Sequence, residues 1–159
     1  MRALSLVVVA AALVTFSSGA AFAAGDAGTA DEAKALLMKA VAAVKADKAK
    51  AIDMINKGEG GLHDRDLYVA CSDIASGKIV ANGNPNLASQ LGTDLRNLKD
   101  GSGKTIGPEI HAMYQKPEGE ISEIGPYMFP RPGADKTPVA KMLFVTHVGD
   151  VGCAAGYYK

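Results

Sequence analysis

Lys141 is the residue whose setting asks for chemistry. It is the one Lys, Arg, Asp or Glu in Val139–Val148, a run of mostly apolar residues. A buried ammonium is costly unless something compensates it. Its place therefore points to a cation for a ligand carboxylate, to an internal ion pair, or to an edge position whose stem carries the charge to water. Four more residues have the right types to join it. Tyr68 and Tyr127 each offer an apolar wall with one hydroxyl, although ordinary core packing uses tyrosine in the same way. Arg131 presents a fork that fits a carboxylate, or it is a solvated turn residue. Asn82 offers an amide at a strand end, where asparagine also serves simply to turn the chain. Tyr68, Asn82, Tyr127, Arg131 and Lys141 form the candidate ligand-binding set.

Other chemistries find less support. His63, His111 and His147 are far apart in the chain. His63-Asp64-x-Asp66 has metal-ligating types, but three close polar residues before a strand usually form a solvated turn, so no metal is assigned. The sequence holds no Gly-x-Ser-x-Gly, no His-Glu-x-x-His, no phosphate loop and no Cys-x-x-Cys-His. Gly58-x-Gly60-Gly61 leaves a helical pattern rather than a strand, which is the wrong context for a dinucleotide fingerprint. The expectation is a binding protein, not an enzyme, with no cofactor. Lys plus Arg and Asp plus Glu both number 17, giving a net charge of zero and no electrostatic basis for nucleic-acid binding. Asp94, Arg96 and Asp100 read as a solvated helix face.

The first residues read as an export signal. Arg2 precedes the apolar run Ala3–Phe16, and Ala21-Phe22-Ala23 has the form of a cleavage site. The run falls short of the roughly 20 residues of a membrane span. The expectation is a cleaved signal at 1–23, a flexible lead-in at 24–28, one domain at 29–159, no membrane span after cleavage, and a periplasmic or secreted location. In an exported chain, Cys71 and Cys153 invite a disulfide; the alternative is two small buried thiols.

Several elements must position the candidate residues. Apolar residues recur with helical spacing from Ala33 to Ile55, a stripe of about seven turns. Thr29 or Asp31 caps its start and Gly58 its end. Leu67–Asp73 and Lys78–Ala81 read as a hairpin turning at Ala75-Ser76-Gly77. A helix is expected over Leu87–Leu98, with Leu87, Leu91, Leu95 and Leu98 on one face, and a shorter one at Pro108–Gln115. Gly119–Phe129 is a strand with an irregularity at Gly125-Pro126. Val139–Val148 and Gly152–Tyr158 form a last hairpin across Gly149-Asp150. With no alternating strand-helix pattern, this is α+β with a mainly antiparallel sheet. Val139–Val148 is apolar on both parities, so both faces of the sheet are covered.

In this order, local phrases resemble the single Cache domains of the second type, PAS-like extracytoplasmic sensor domains. DRDLYVACSD at Asp64–Asp73 is similar to their first strand. IVANGNPNLASQLGTDLRNLKDGSGKTIG at Ile79–Gly107 is similar to the second strand and the turn that follows. YMFPRP at Tyr127–Pro132, KMLFV at Lys141–Val145 and VGCAAGYYK at Val151–Lys159 resemble the closing strands. The resemblance spans about Thr29–Lys159. The chain departs from the family at Asn82, where a His is frequent, at Cys153, and at Leu143-Phe144, where polar or aromatic residues are usual. The resemblance implies a five-stranded sheet with the long helix on one face and short helices and loops over the other. There a small organic ligand, often a carboxylate, would sit. It implies a sensor read by a membrane receptor or sensor partner. The alternatives are an adaptor pairing through its long helix, or a metal or cofactor carrier.

Overall fold

A computed structural model describes residues 27–159. The expected signal at 1–23 and part of the lead-in lie outside them. The first helix, α1 (Ala30–Ala46), starts at a complete capping box. Thr29 Oγ accepts from the Glu32 N–H at 3.3 Å, and Glu32 Oε2 accepts from the Thr29 N–H at 2.8 Å. The Thr29 N–H, the Arg65 guanidinium and the Thr29 hydroxyl hold the Glu32 carboxyl down to about 2.

The long helix expected from Ala33 to Ile55 is two helices. Asp47 adopts an extended conformation, closes α1, and opens α2 (Lys48–Lys57) by accepting from the Lys50 N–H at 3.0 Å. The apolar stripe runs through this break, because an aspartate cap restarts the helix within a single residue. The break redirects the chain over a wider area: α1 packs on three central strands, and α2 on two strands at the sheet edge. α2 ends at Gly58 in the left-handed conformation.

The strands are β1 (His63–Asp64), β2 (Leu67–Asp73), β3 (Ile79–Asn82), β4 (Ser122–Pro130), β5 (Pro138–Val148) and β6 (Val151–Tyr158). Their order is β1-β2-β6-β5-β4, with β3 also paired to β2, and every pairing is antiparallel. The five expected strands are there, and the two-residue β1 is a sixth. The register of β4 on β5 shifts between Ile124 and Tyr127, at the cis Gly125-Pro126 bond.

Strand parity separates two cores. On one face Val69 and Cys71 of β2, Phe144 of β5, and Cys153 and Ala155 of β6 meet α1 and α2. On the other, Leu143 and Val145 of β5, Tyr158 of β6, and Tyr127 and Phe129 of β4 meet the connecting segments and α3 (Gly107–Met113). Cys71 and Cys153 stand opposite one another on β2 and β6, with Cα atoms 4.1 Å apart, and are joined as a disulfide under the helices.

The helix expected over Leu87–Leu98 is absent. The chain instead makes two 3-10 turns, Pro85–Gln90 and Leu95–Asn97. Gly92 between them takes a φ of 79°, which a helix does not allow. The backbone there bonds to the β3 region: Gly92 N–H donates to Ile79 O at 2.8 Å, and Ile79 N–H to Thr93 O at 2.9 Å. Asp94 and Arg96 are paired in this loop. Asp100, expected on a solvated face, is buried. It accepts from Ser102, Lys104 and the Met128 N–H, tying its loop to β4.

Candidate functional site

Lys141 lies at the middle of the second face. It pairs with Tyr127 of β4 on one side and Tyr158 of β6 on the other. The residue is 1% exposed. Neither of the bland expectations holds: its stem does not reach water, and no carboxylate among the described residues forms an ion pair with it. Its Nζ rests over two aromatic faces, 3.5 Å from the Tyr68 ring centroid and 4.6 Å from that of Tyr158. Such contacts contribute about 0.5–2 kcal/mol each, more when desolvated. Reaching Tyr68 takes the side chain past Gly156 of β6. A Cβ there would lie 2.7 Å from Lys141 Cε and 2.2 Å from Met142 O, so glycine makes the passage.

The electrostatics follow from this burial. Burial pushes the Lys141 amine below its usual range, and Tyr68 and the more distant Asp66 charge only partly oppose it. Burial by itself would raise the Tyr68 phenol. The adjacent Lys141 charge and hydrogen bonds from Asn84 and Lys141 outweigh it, and the net direction is downward. Tyr158 is pushed up, first by burial, and its hydroxyl donates to Pro130 O at 2.6 Å.

Beside these groups lies a cavity of about 60 Å³. At roughly 10–15 Å³ for a water-sized occupant, it has room for a small organic molecule. Its floor is β2, β5 and β6; its roof is the two 3-10 turns and α3. Leu87, Leu95, Leu98, Ile110 and Phe129 make most of the wall apolar. Polar groups enter at three places: Lys141 with Tyr68, Asn82 with Gln90, and Ser72 with Tyr114. Asn82 holds the turn: its side-chain Oδ1 accepts from the Asn84 N–H at 3.0 Å, and its side-chain Nδ2 donates to Gln90 Oε1 at 3.2 Å on the cavity wall.

The structure brings Tyr68, Asn82 and Lys141 to the cavity and leaves Tyr127 and Arg131 off its wall. Tyr127 is buried among Ile106, Ile110 and neighbours. Its hydroxyl makes no hydrogen bond of good geometry among the described residues, and burial first, then the nearby Glu109 carboxylate, raise the phenol above its usual range. Arg131 forms an ion pair with the buried Asp66 and stacks 4.5 Å from the Tyr158 ring centroid. Asp66 also accepts from the Gly28 N–H at 2.7 Å. Both carboxylates at 63–66 are engaged elsewhere, Asp64 with Arg65 and Asp66 with Arg131. Among the described residues no cluster has the makings of a metal site.

Ser72, Gln90, Tyr114 and Tyr158 escaped the sequence reading. Two left a signal. Ser72 shares parity with Tyr68, and the turn at Gly149-Asp150 sets a register that puts Tyr158 opposite Lys141. Gln90 and Tyr114 left none, because they belong to segments whose conformation depends on what they pack against.

No family model and no curated protein sequence matches this chain. Solved structures do. A periplasmic sensor domain of a chemotaxis protein superposes with a TM-score of 0.56 at 20% identity, covering 80% of this chain and 88% of its own. A methyl-accepting chemotaxis protein from Vibrio parahaemolyticus gives a TM-score of 0.60 at 20% identity, covering 80% and 86%. A Cache chemosensory domain described for its carboxylic acid recognition gives 0.56 at 19% identity, with coverage of 80% and 86%. The chain has the α+β, PAS-like fold of Cache sensor domains. No helix among the described residues is long and apolar enough to cross a membrane.

Proposed function

We propose that this chain is an exported, periplasmic sensor-type domain that holds a small monocarboxylate in the cavity beside Lys141 and passes its occupancy to a membrane receptor or sensor partner. It acts by binding and not by catalysis. One observation carries the reading: among the described residues, Lys141 is the one Lys or Arg side chain lining the cavity, and it forms no ion pair with a carboxylate. A ligand carboxylate would supply the missing charge, and the apolar walls would take a short aliphatic or aromatic body. The single charge argues for a monoanion, since Arg131 is already neutralised by Asp66. The likeness to a domain that recognises carboxylic acids supports the same ligand class.

Thermal unfolding in the presence of acetate, propionate, butyrate and benzoate tests this, with the matching amides as controls. Binding to the folded state raises the melting temperature. At least one acid should stabilise the protein where its amide does not, and Lys141→Gln should abolish that difference. Equal responses to acid and amide, or an unchanged response in the variant, would overturn the assignment.

A further inference from the structure

We propose that Lys141 also captures carbonyl compounds: the cavity takes a small aldehyde or ketone and holds it covalently and reversibly as an imine on Nζ. The proposal rests on the reading of the cavity as a ligand site. Three observations carry it. The exposed lysines Lys48, Lys57 and Lys116 each form an ion pair with a carboxylate, but among the described residues the buried Lys141 forms none. An amine without a carboxylate to hold its proton, sealed in apolar surroundings, sheds that proton readily. Next, two ring faces and a hydrogen bond to the Tyr68 oxygen restrain Nζ, and an amine that donates an N–H keeps its lone pair. The nucleophile is thus placed and left free. Finally, Nζ adjoins a cavity whose mostly apolar walls suit the carbon body of a carbonyl compound, with the Tyr68 phenol beside it.

The chemistry balances without an added oxidant or reductant. The neutral amine attacks the carbonyl carbon, a C–N bond forms, and the π pair moves to oxygen. The Tyr68 hydroxyl gives that oxygen a proton and recovers one from the nitrogen. A second proton lets the hydroxyl leave as water, and loss of the remaining nitrogen hydrogen completes C=N. The net change is amine plus carbonyl giving imine plus water. A dry cavity favours the condensed side. A carboxylate ligand has the opposite effect, because it keeps the amine protonated and unreactive.

The test is reductive trapping. The protein is treated briefly with butanal and cyanoborohydride near neutral pH, and butylation of each lysine is measured by peptide mass spectrometry. Lys141 should be labelled at least about tenfold faster than the exposed Lys34 and Lys45. Butyrate should protect Lys141 and not the surface lysines. Lys141→Arg should lack the label while Lys34 and Lys45 react as before. Labelling of Lys141 at or below the surface rate overturns the proposal. If butyrate still raises the melting temperature in that case, only the imine fails; if butyrate has no effect either, the carboxylate reading falls with it.

Discussion

On the helix side of the sheet the buried residues are mostly small or aliphatic: Ala33, Ala40, Ala51, Ala81 and Ala155 among leucines and valines, with the disulfide in their midst and Phe144 and Thr146 as the exceptions on β5. On the cavity side four tyrosines, a lysine, two serines and two asparagines share the interior with the aliphatic residues. Small residues let helices approach the sheet closely, and close packing leaves few voids. The cavity lies on the side with the large rings and polar groups. Among the described residues each face also holds a buried hydroxyl that makes no hydrogen bond of good geometry, Thr146 beneath the helices and Tyr127 on the other side, and leaving such a group buried is costly.

If that division holds, damage to the two faces should read out differently. The largest effect is expected from removing the disulfide by C71S and C153S together. The cysteines are 82 residues apart in sequence, and releasing a loop of that length costs about 4 kcal/mol. Equilibrium urea unfolding measures it; an unchanged midpoint would show that the dense face does not depend on its cross-link. Next is Leu37→Ala, which empties a fully buried site beneath α1 and should cost about 3 kcal/mol. The ligand-induced melting shift should survive there, and its loss would mean that the faces are not separable.

Lys141→Met turns the comparison around. It removes a buried cation and fills its volume with an apolar chain, so stability should hold or rise by about 1 kcal/mol while the acid-specific shift disappears. A large destabilisation would instead make Lys141 a structural residue. The smallest effect is Thr29→Ala at the capping box, worth about 1 kcal/mol. Its acid counterpart has a definite sign. The folded-state value of Glu32 is about 2, below its ordinary 4.5, so its stabilisation is present above pH 4.5 and is lost as pH falls toward 2. That loss should shrink in the Thr29→Ala variant, and acid unfolding monitored by circular dichroism would show it.

Much of this architecture is legible without coordinates, for local reasons. Alternation along Leu67–Asp73 and Val139–Val148 assigns each side chain to a face, because strand periodicity is 2 whatever the partner. Within Leu67–Asp73 that sets Tyr68 and Cys71 on opposite faces; relating Lys141 and Cys153 to them takes the registers of the paired strands. The turn at Gly149-Asp150 carries the register of the last hairpin. Thr29 and Glu32 announce a helix start by their spacing alone.

What packing decided is of another kind. The leucines of Leu87–Leu98 have helical spacing, yet the segment follows the exposed backbone of β3, whose hydrogen bonds a helix would have left unmet. Asp47 is compatible with a continuous helix by pattern, but its extended backbone and side-chain cap end one helix and start the next, and the two helices reach different strands. Arg131 carries a ligand-binding group by type, and only the fold shows that Asp66, 65 positions away, has claimed it. Lys141 is the mirror case. The sequence by itself determined that a charge would stand among apolar neighbours on a central strand. Tertiary structure decided that rings rather than a carboxylate would receive it, because the partners of a desolvated charge come from strands distant in sequence and meet only in the folded sheet.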